Sequence, residues 1–358
     1  MNLLKNQEKI HFHRLVLGLI FLLSFLSIIA ASCSPANPTK TPTLSPTIDL
    51  ITPTTTTIPP QPTKEIGIEE SPIVIGYISF DSSINYESFA QPMIANLEDQ
   101  TGYNIDFQVF TDALEAFNQL RTGDIHFIFI KPLTYLAASE RDLVDPLLVS
   151  NHFGLYNYGF QFLANRDSGF SVFYDSKTNR STTTALNALR QFEGKKPCWT
   201  EPSSLSGTII PYGILAQNGI SFTAPAYLQN PASVIRALYI KGICDFGATY
   251  ALSGDPRTSS MVINDLPDVL DRIEIIWQSE AIIPNLGLSA AVSVSPVIQN
   301  NIKNAFLSLV SSEEGKPIIS NALQYDIQDF LPVDDDYYNE IRDIVESAGI
   351  NPYQHLGY

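Results

Sequence analysis

Asp124-Ile125-His126-Phe127-Ile128-Phe129-Ile130 is the stretch of the chain that decides its fold class. It is apolar almost throughout, which is typical of a strand in a parallel sheet that is covered on both faces. Strand-like and helix-like segments alternate on either side of it. The predicted strands are 72–78, 104–109 and 143–149, and the predicted helices are 86–100, 112–123 and 133–141. This βαβαβαβ order predicts an open α/β sheet with right-handed crossovers.

A second set of α/β segments follows the first. Its predicted helices are 183–192, 205–218 and 231–241, and its predicted strands are 196–200 and 243–248. Strand 273–278 and segment 287–294 then return towards the first set, and helices 296–311, 313–323 and 336–347 close the chain. We therefore predict two lobes joined by two chain crossings that form a hinge, with a central cleft between the lobes. The expected boundaries are 71–165 for the first part of lobe one, 166–265 for lobe two, and 266–358 for the return to lobe one and the C-terminal helices.

The first 33 residues have the pattern of a targeting segment. Three cations precede a mostly apolar run over 15–31, and Ala30-Ala31-Ser32-Cys33 resembles the bacterial lipobox. This pattern predicts a lipoprotein signal peptide over 1–32, a lipidated Cys33, and an extracytoplasmic chain that is lipid-anchored to the cell membrane. The alternative is an uncleaved transmembrane anchor, which also places the rest of the chain outside the cytoplasm.

Residues 33–70 form a predicted tether. Residues 34–70 contain ten Thr and eight Pro, with runs such as Thr54–Thr57. Such a composition cannot bury a core, and it favours an extended chain that spans roughly 3 Å per residue. The tether would hold a globular part away from the membrane.

The chain of 358 residues carries a net charge of −16, which becomes −18 once residues 1–32 are removed. An excess of acidic groups repels nucleic acid and anionic lipid surfaces, so the charge excludes both as partners. An anionic solute must therefore be attracted by short-range hydrogen-bond donors rather than by bulk charge.

Cys198 and Cys244 remain when Cys33 is assigned to lipidation. In an oxidising compartment two such cysteines favour a disulfide, and two separate buried thiols are the alternative. The mature chain has no CxxC pair and keeps only three histidines, so we expect no zinc or redox site and no cofactor.

Ligands of open α/β sheets bind beyond the carboxyl ends of the strands, and this rule selects a few loops. The loops are 79–83, 131–135, 200–207, 249–254 and 283–286. The most informative is Glu201-Pro202-Ser203-Ser204-Leu205-Ser206-Gly207, which follows a strand and begins a helix. Serines there cap the helix, while free backbone N–H groups and the helix dipole attract an anion. A plain serine-rich helix cap is the alternative.

Four segments, in order, resemble the phosphate/phosphonate-binding proteins of ABC importers, and together they span about 72–330. They are Lys131-Pro132-Leu133-Thr134-Tyr135-Leu136-Ala137, the 201–207 loop with Pro211, Val234–Leu238 with Gly242 and Asp245–Ala248, and Ile275–Ser279 with Ile283-Pro284-Asn285. The resemblance implies a periplasmic-binding-protein fold of type 2. It also implies a membrane permease and its ATPase as partners.

The resemblance implies a set of ligand-binding residues as well. Lobe two would hold the anion through Ser203, Ser204, Ser206 and Gly207, and lobe one would reach it through Phe80, Thr134 and Tyr135. Asp245 either contacts the ligand or caps the turn at 249–253. Lys131 either pairs with the ligand, or is solvated or paired with a nearby carboxylate at its strand end.

Three departures from the family pattern bear on the ligand. Leu205 stands where many members have threonine, and Asn285 stands where an acidic residue can meet a ligand amine. Asn230-Pro231 occupy the region where a histidine can occur. These departures argue against 2-aminoethylphosphonate. The ligands that remain as candidates are phosphate, another phosphonate, a phosphite-like anion, or a diverged ligand without phosphorus.

Tyr156, Tyr158, Phe160 and Phe162 alternate along the chain. This alternation predicts one packed face of a strand near the crossing between the lobes.

The leading hypothesis is a non-enzymatic, monomeric solute-binding lipoprotein that captures a small oxyanion for an ABC importer. A ligand-sensing lipoprotein that signals to a membrane receptor is the alternative. A surface hydrolase would need a nucleophile beside a base, and the chain has no Gly-x-Ser-x-Gly motif and no recognisable triad.

Overall fold

The structure, a computed structural model, describes residues 65–79, 81 and 83–356. Its strands are β1 (Ile73–Ile78), β2 (Ile105–Phe110), β3 (Phe127–Ile130), β4 (Val144–Asn151), β5 (Asn157–Asn165), β6 (Tyr174–Asp175), β7 (Arg180–Ser181), β8 (Pro197–Trp199), β9 (Ala226–Tyr227), β10 (Phe246–Ala251), β11 (Ile273–Gln278), β12 (Ile283–Pro284), β13 (Gly287–Ala291) and β14 (Asp329–Pro332). Its α-helices are α1 (Tyr86–Thr101), α2 (Ala113–Thr122), α3 (Pro132–Ser139), α4 (Ala185–Leu189), α5 (Ile210–Gln217), α6 (Pro231–Ile240), α7 (Ser260–Ile263), α8 (Val269–Arg272), α9 (Pro296–Ser311), α10 (Gly315–Leu323) and α11 (Asn339–Ser347).

The first sheet has the strand order β14-β4-β13-β3-β1-β2. β1 pairs in parallel with β2 and β3, whereas β13 runs antiparallel to both β3 and β4. All four residues of β3 are buried, as the apolar stretch predicts for a strand covered on both faces. Gly102 and Gly123 end α1 and α2 in the left-handed conformation, which glycine adopts at little cost.

The second sheet has the strand order β11-β5-β10-β8-β9, and β12 pairs with one end of β5. This pairing corrects the predicted lobe boundaries, because β5 and β11 belong to the second sheet rather than to lobe one. The chain therefore crosses between the sheets near 152–156 and 285–286, not at 165 and 265. Local periodicity identifies a strand, but only its hydrogen-bonded neighbours decide which sheet it joins.

The two crossing segments lie side by side and form the hinge. Ile283 pairs with Tyr158, Pro284 pairs with Asn157, and the N–H of Asn285 donates to the carbonyl of Tyr156 at 3.0 Å. Backbone hydrogen bonds therefore tie one crossing to the other. The predicted two-lobed α/β fold with two crossings is confirmed.

The C-terminal helix α11 packs against α5 of lobe two, although the sequence assigned it to the return to lobe one. A Cβ atom on Gly213 of α5 would lie only 2.3 Å from the carbonyl oxygen of Ile344. Such close backbone approach needs glycine at this position. The C-terminal segment is therefore a third link between the lobes.

The predicted tether is shorter than expected at its C-terminal end. Ile68 and Ser71 form an antiparallel bridge, and Gly67 lies against the ring of Tyr103. Residues 65–70 thus pack on the globular part. The predicted signal peptide, Cys33 and the rest of the tether lie outside the described residues. Within the described part of the chain, the helices are too short or too polar to cross a membrane.

Candidate ligand-binding site

A cavity of about 810 Å³ lies between the two sheets. Loops that follow strands of both sheets line it, as the strand-end rule predicts. The lining residues are Tyr77, Lys131, Pro132, Leu133, Thr134, His152, Phe153, Tyr158, Glu201, Ser203, Ser204, Leu205, Ser206, Tyr250, Ser253, Pro284, Asn285, Leu286, Tyr325, His355 and Leu356. Both lobes and the hinge therefore contribute to one site.

The serine loop, residues 201–207, forms the lobe-two wall of the cavity. Ser204 caps the helix, because its Oγ accepts the N–H of Gly207 at 3.2 Å. The first turns, Leu205–Ile209, wind as a π-helix, in which the N–H of Ile209 donates to the carbonyl of Ser204 at 2.9 Å. Such π segments are frequent at functional sites.

Pro211 and Gly207 explain how the serine loop closes on the end of β8. Proline has no N–H to donate to the carbonyl four residues earlier, which is that of Gly207. This carbonyl instead accepts the N–H of Thr200 at 3.2 Å. A Cβ atom on Gly207 would lie 2.0 Å from Oγ1 of Thr200, so the contact needs glycine. The two residues hold the helix start against the strand end.

Ser206 and Tyr158 bring hydroxyl groups to the same wall. Ser206 is nearly buried, with 9% of its surface exposed, and it lines the cavity. Burial raises the pKa of Tyr158 to about 12 and outweighs a hydrogen bond with Ser206, which lowers it. Tyr158 therefore stays neutral at physiological pH and retains its hydroxyl proton as a donor. The sequence treated Tyr158 as sheet packing, whereas it lines the cavity.

Lobe one brings Lys131 and Thr134 to the cavity, from the start of α3. Tyr135, the next residue, is buried and lies outside the cavity lining, since its hydroxyl donates to Oδ1 of Asp335 at 2.5 Å. Asp335 also pairs with Arg342 at 2.6 Å. The structure therefore places Tyr135 in a contact between α3 and the C-terminal segment rather than in the cavity lining.

Asn285 lines the cavity at the hinge, but its amide is occupied by protein partners. Its Nδ2 donates to the carbonyl of Leu155 at 2.8 Å, and its Oδ1 accepts the hydroxyl of Tyr325 at 3.2 Å. Burial raises the pKa of Tyr325 well above its ordinary value, so this hydroxyl remains a donor. Asn285 thus holds the crossing segment as well as lining the cavity.

Asp245 lies outside the cavity lining, and it meets neither the ligand site nor the turn at 249–253. Its Oδ2 accepts the N–H of Lys196 at 2.8 Å, next to the start of β8. Cys198 and Cys244 are joined by a disulfide in the same region, with Cα atoms 5.6 Å apart. These contacts brace the two strands, β8 and β10, that carry cavity loops at their other ends.

Asn230 and Gly207, two more of the positions named from the sequence, form hydrogen bonds within the protein. Asn230 caps α6, since its Oδ1 accepts the N–H of Ser233 at 2.9 Å, and Pro231 is the first helical residue. The N–H of Gly207 donates to Ser204, and Gly207 lies behind the cavity wall. Phe80 lies outside the described residues.

Sequence reasoning missed several lining residues. Tyr250 falls in a loop that the strand-end rule selected, and Tyr77 lies near the end of β1. The strand-end rule could therefore have predicted both as lining residues. The remaining missed residues come from the hinge and the C-terminal region, and they are His152, Phe153, Tyr325, His355 and Leu356. Nothing local in the sequence distinguishes them, because only the folded chain brings them to the cleft.

A family model described as "ABC transporter, phosphonate, periplasmic substrate-binding protein" matches residues 75–338. The chain belongs to this family. The match confirms the resemblance found in the four segments. The protein is thus an extracytoplasmic substrate-binding protein rather than an enzyme, with a small-molecule ligand and a permease with its ATPase as partners.

Individual relatives of this substrate-binding protein are distant. The phosphate-import protein PhnD of Mycolicibacterium smegmatis is 22% identical over 309 residues, which cover 81% of this chain and 89% of the relative. XAC2383 from Xanthomonas citri bound to ATP superposes with a TM-score of 0.58 at 16% identity, covering 79% of this chain and 98% of that one. PhnD1 from Prochlorococcus marinus in complex with methylphosphonate gives 0.52 at 14% identity, covering 77% and 98%. The two structures show a shared fold.

Proposed function

We propose that this substrate-binding protein is a lipoprotein, anchored through Cys33, that captures a small oxyanion of the phosphate, phosphonate or phosphite type in the cavity between its lobes. It delivers this anion to an ABC importer. The observation that carries the proposal is the serine loop, whose helix start and Ser206 hydroxyl line the same cavity as Lys131 and Thr134 of the other lobe.

The serine loop has the properties of an anion site. A helix start directs N–H groups and the positive end of its dipole towards the space in front of it. Ser203 and Ser206 add hydroxyl groups to the wall that this helix start forms. Donors of this kind attract an oxyanion at short range, which suits a chain whose net charge is strongly negative.

The lining of the cavity has few charged side chains. Its lysine, Lys131, and its carboxylate, Glu201, have opposite charges, so a ligand must be held mainly by hydrogen-bond donors. Burial also raises the pKa of Tyr77 to about 12, so its hydroxyl stays neutral, as that of Tyr158 does. Neutral donors therefore dominate the lining.

The hinge gives the captured anion a way to signal its presence. An anion held from both lobes binds the closed form better than the open form, and it shifts the population towards closure. The crossing segments at 152–156 and 285–286, which link the two sheets, are the place where such a motion bends the chain. A permease that contacts both lobes would detect the closed form.

Calorimetry with phosphate, phosphite and methylphosphonate tests this proposal. Ser206→Ala should weaken the affinity for whichever anion binds by about 5- to 150-fold, because it removes a donor to a charged group. Ser311→Ala is a matched control, since that serine lies at the end of α9 and bonds the carbonyl of Ser308. If none of the anions binds, or if both variants bind alike, the anion proposal is wrong.

The lipid anchor needs a separate test. A Cys33→Ala variant should accumulate as an uncleaved precursor that incorporates no labelled fatty acid, whereas the parent chain is cleaved and labelled. Two chains of the same size without lipid label would contradict the anchor and leave the anion proposal intact.

A further inference from the structure

The turn that starts the first crossing carries an aromatic residue in an unfavourable conformation. His152 and Leu155 form an antiparallel bridge with backbone hydrogen bonds of 2.7 and 3.1 Å. Between them, Phe153 has φ +51° and Gly154 has φ +85°. Two central residues with positive φ are typical of a type I′ turn, for which Asn-Gly is the favoured pair. Phenylalanine at position 153 therefore strains the backbone of this turn.

The rest of the site fixes this turn in place. The ring of His152 stacks on that of Tyr325 with a centroid distance of 4.0 Å, and its Nδ1 lies 2.8 Å from the carbonyl oxygen of Asp326. The N–H of Phe153 donates to Oδ2 of Asp326 at 3.3 Å. Several independent contacts thus hold Phe153 at the wall of the cavity.

The Phe153 side chain is mostly exposed, and its ring contacts that of the neighbouring His152 at a centroid distance of 4.1 Å. It is 60% exposed, although it lines the cavity. Among the seven non-glycine residues with positive φ in the described chain, Phe153 is the only aromatic one. An exposed aromatic group in a strained backbone conformation lowers stability, and such residues cluster at functional sites.

The cavity is also larger than a bare oxyanion requires. Its volume of about 810 Å³ falls within the range of about 300–1,000 Å³ that holds drug-sized organic ligands. A phosphate group, with one phosphorus and its oxygens, fills only a small part of it. Rings of Tyr77, Tyr250 and Tyr325 line the cavity together with Phe153. Aromatic walls stabilise an apolar or aromatic ligand group by stacking and by removing it from water.

We infer that the ligand is an oxyanion that carries a bulky apolar or aromatic group, such as an arylphosphonate or an aryl phosphate ester, and that Phe153 covers this group. The inference rests on the proposed function, because the serine loop must first hold the anionic end. It specifies the substrate class that the same cavity accepts.

Isothermal titration calorimetry with phosphate, methylphosphonate and phenylphosphonate tests the inference. The parent chain should bind phenylphosphonate at least about tenfold more tightly than methylphosphonate. Phe153→Ala should remove most of this preference while it changes the methylphosphonate affinity less than about twofold. Phe89→Ala is the matched control, because Phe89 is an exposed aromatic on α1, outside the cavity lining.

Phe153→Asn adds a readout that does not depend on a ligand. Asparagine suits the turn, so this variant should raise Tm by about 2–4 °C while it loses the phenylphosphonate preference. Equal affinity of the parent chain for the two phosphonates would overturn this inference alone, and so would a Phe153→Ala variant that keeps the preference. Binding of none of the three anions would overturn the proposed function together with it.

Discussion

Replacing Gly207 by alanine should disturb the serine loop from within. The new Cβ atom would lie 2.0 Å from Oγ1 and 2.6 Å from Cγ2 of Thr200, whereas ordinary contact begins near 3.4 Å. Thr200 is only 2% exposed, so it has no open space to move into. Its two branches occupy two of three staggered positions, and rotation about χ1 always leaves at least one of them facing Gly207.

The loop or the strand end must therefore move by about 1.4 Å. Overpacking of this kind lowers the free energy of unfolding by about 1–3 kcal/mol, and the better helix propensity of alanine returns up to about 1 kcal/mol. We expect a net loss of about 1–2 kcal/mol and a fall in Tm of about 2–8 °C. A displacement of this size also takes donors out of hydrogen-bond range, so the anion affinity should fall at least about tenfold.

Thermal unfolding and calorimetry with the anion that binds best measure both effects. A second change, Thr200→Ala, removes the two nearest atoms and leaves Cβ of residue 200 as the remaining close contact, at 2.8 Å. The double variant should recover part of both losses. Thr200→Ala alone is the control, since its Oγ1 finds no hydrogen-bond partner within the described residues. A Gly207→Ala variant that is as stable and binds as tightly as the parent would refute the reasoning.

Two further predictions concern contacts behind the cavity wall. Tyr135→Phe should lower the free energy of unfolding by about 1 kcal/mol and leave anion affinity unchanged, because the lost hydroxyl donates to Asp335 rather than to a ligand. Burial alone would raise the pKa of Asp335, but hydrogen bonds from Tyr135 and from its arginine partner outweigh burial and hold the pKa below 3.8. The difference in stability between the parent chain and Tyr135→Phe should therefore shrink as the pH falls below about 4. A changed anion affinity, or a stability difference that persists in acid, contradicts this role. Replacing Cys198 and Cys244 together by alanine should lower the free energy of unfolding by about 4 kcal/mol, because the disulfide closes a loop with a sequence separation of 46 residues. Denaturant unfolding measures this loss. A loss below about 1 kcal/mol would exclude a structural role for the disulfide.

Local signals in the sequence predicted the elements well. Strand β11 and helix α9 have the predicted bounds, 273–278 and 296–311. Ser295 caps α9 through a side-chain hydrogen bond, and Pro296 follows as its first residue, so this helix start is encoded by neighbouring residues. The glycine stops of α1 and α2 are equally local. These features need no knowledge of distant parts of the chain.

Long-range pairing is where sequence reasoning failed. β5 is a strand as predicted, but both of its faces are buried from Gly159 to Asn165 rather than one. It lies between β10 and β11 of the second sheet, so the lobe boundary moved. Tyr135 follows a strand end, where ligand contacts are expected, yet its hydroxyl is taken by a carboxylate 200 residues further along the chain. In both cases the deciding partner is remote, and no local periodicity reports on it.

The sequence by itself determined the α/β class, and it carried the resemblance to the family and the position of the serine loop that we propose holds the anion. The class follows from apolar periodicity and helix caps, whereas the family rested on the resemblance of four segments, among them the serine-rich helix start with Gly207 and Pro211. Only the tertiary structure decided which side chains meet across the cleft, from Tyr77 near one end of the described chain to Leu356 near the other. The physical reason is that a cavity wall consists of residues that the folded backbone brings together, and hydrogen bonds between distant strands set that arrangement.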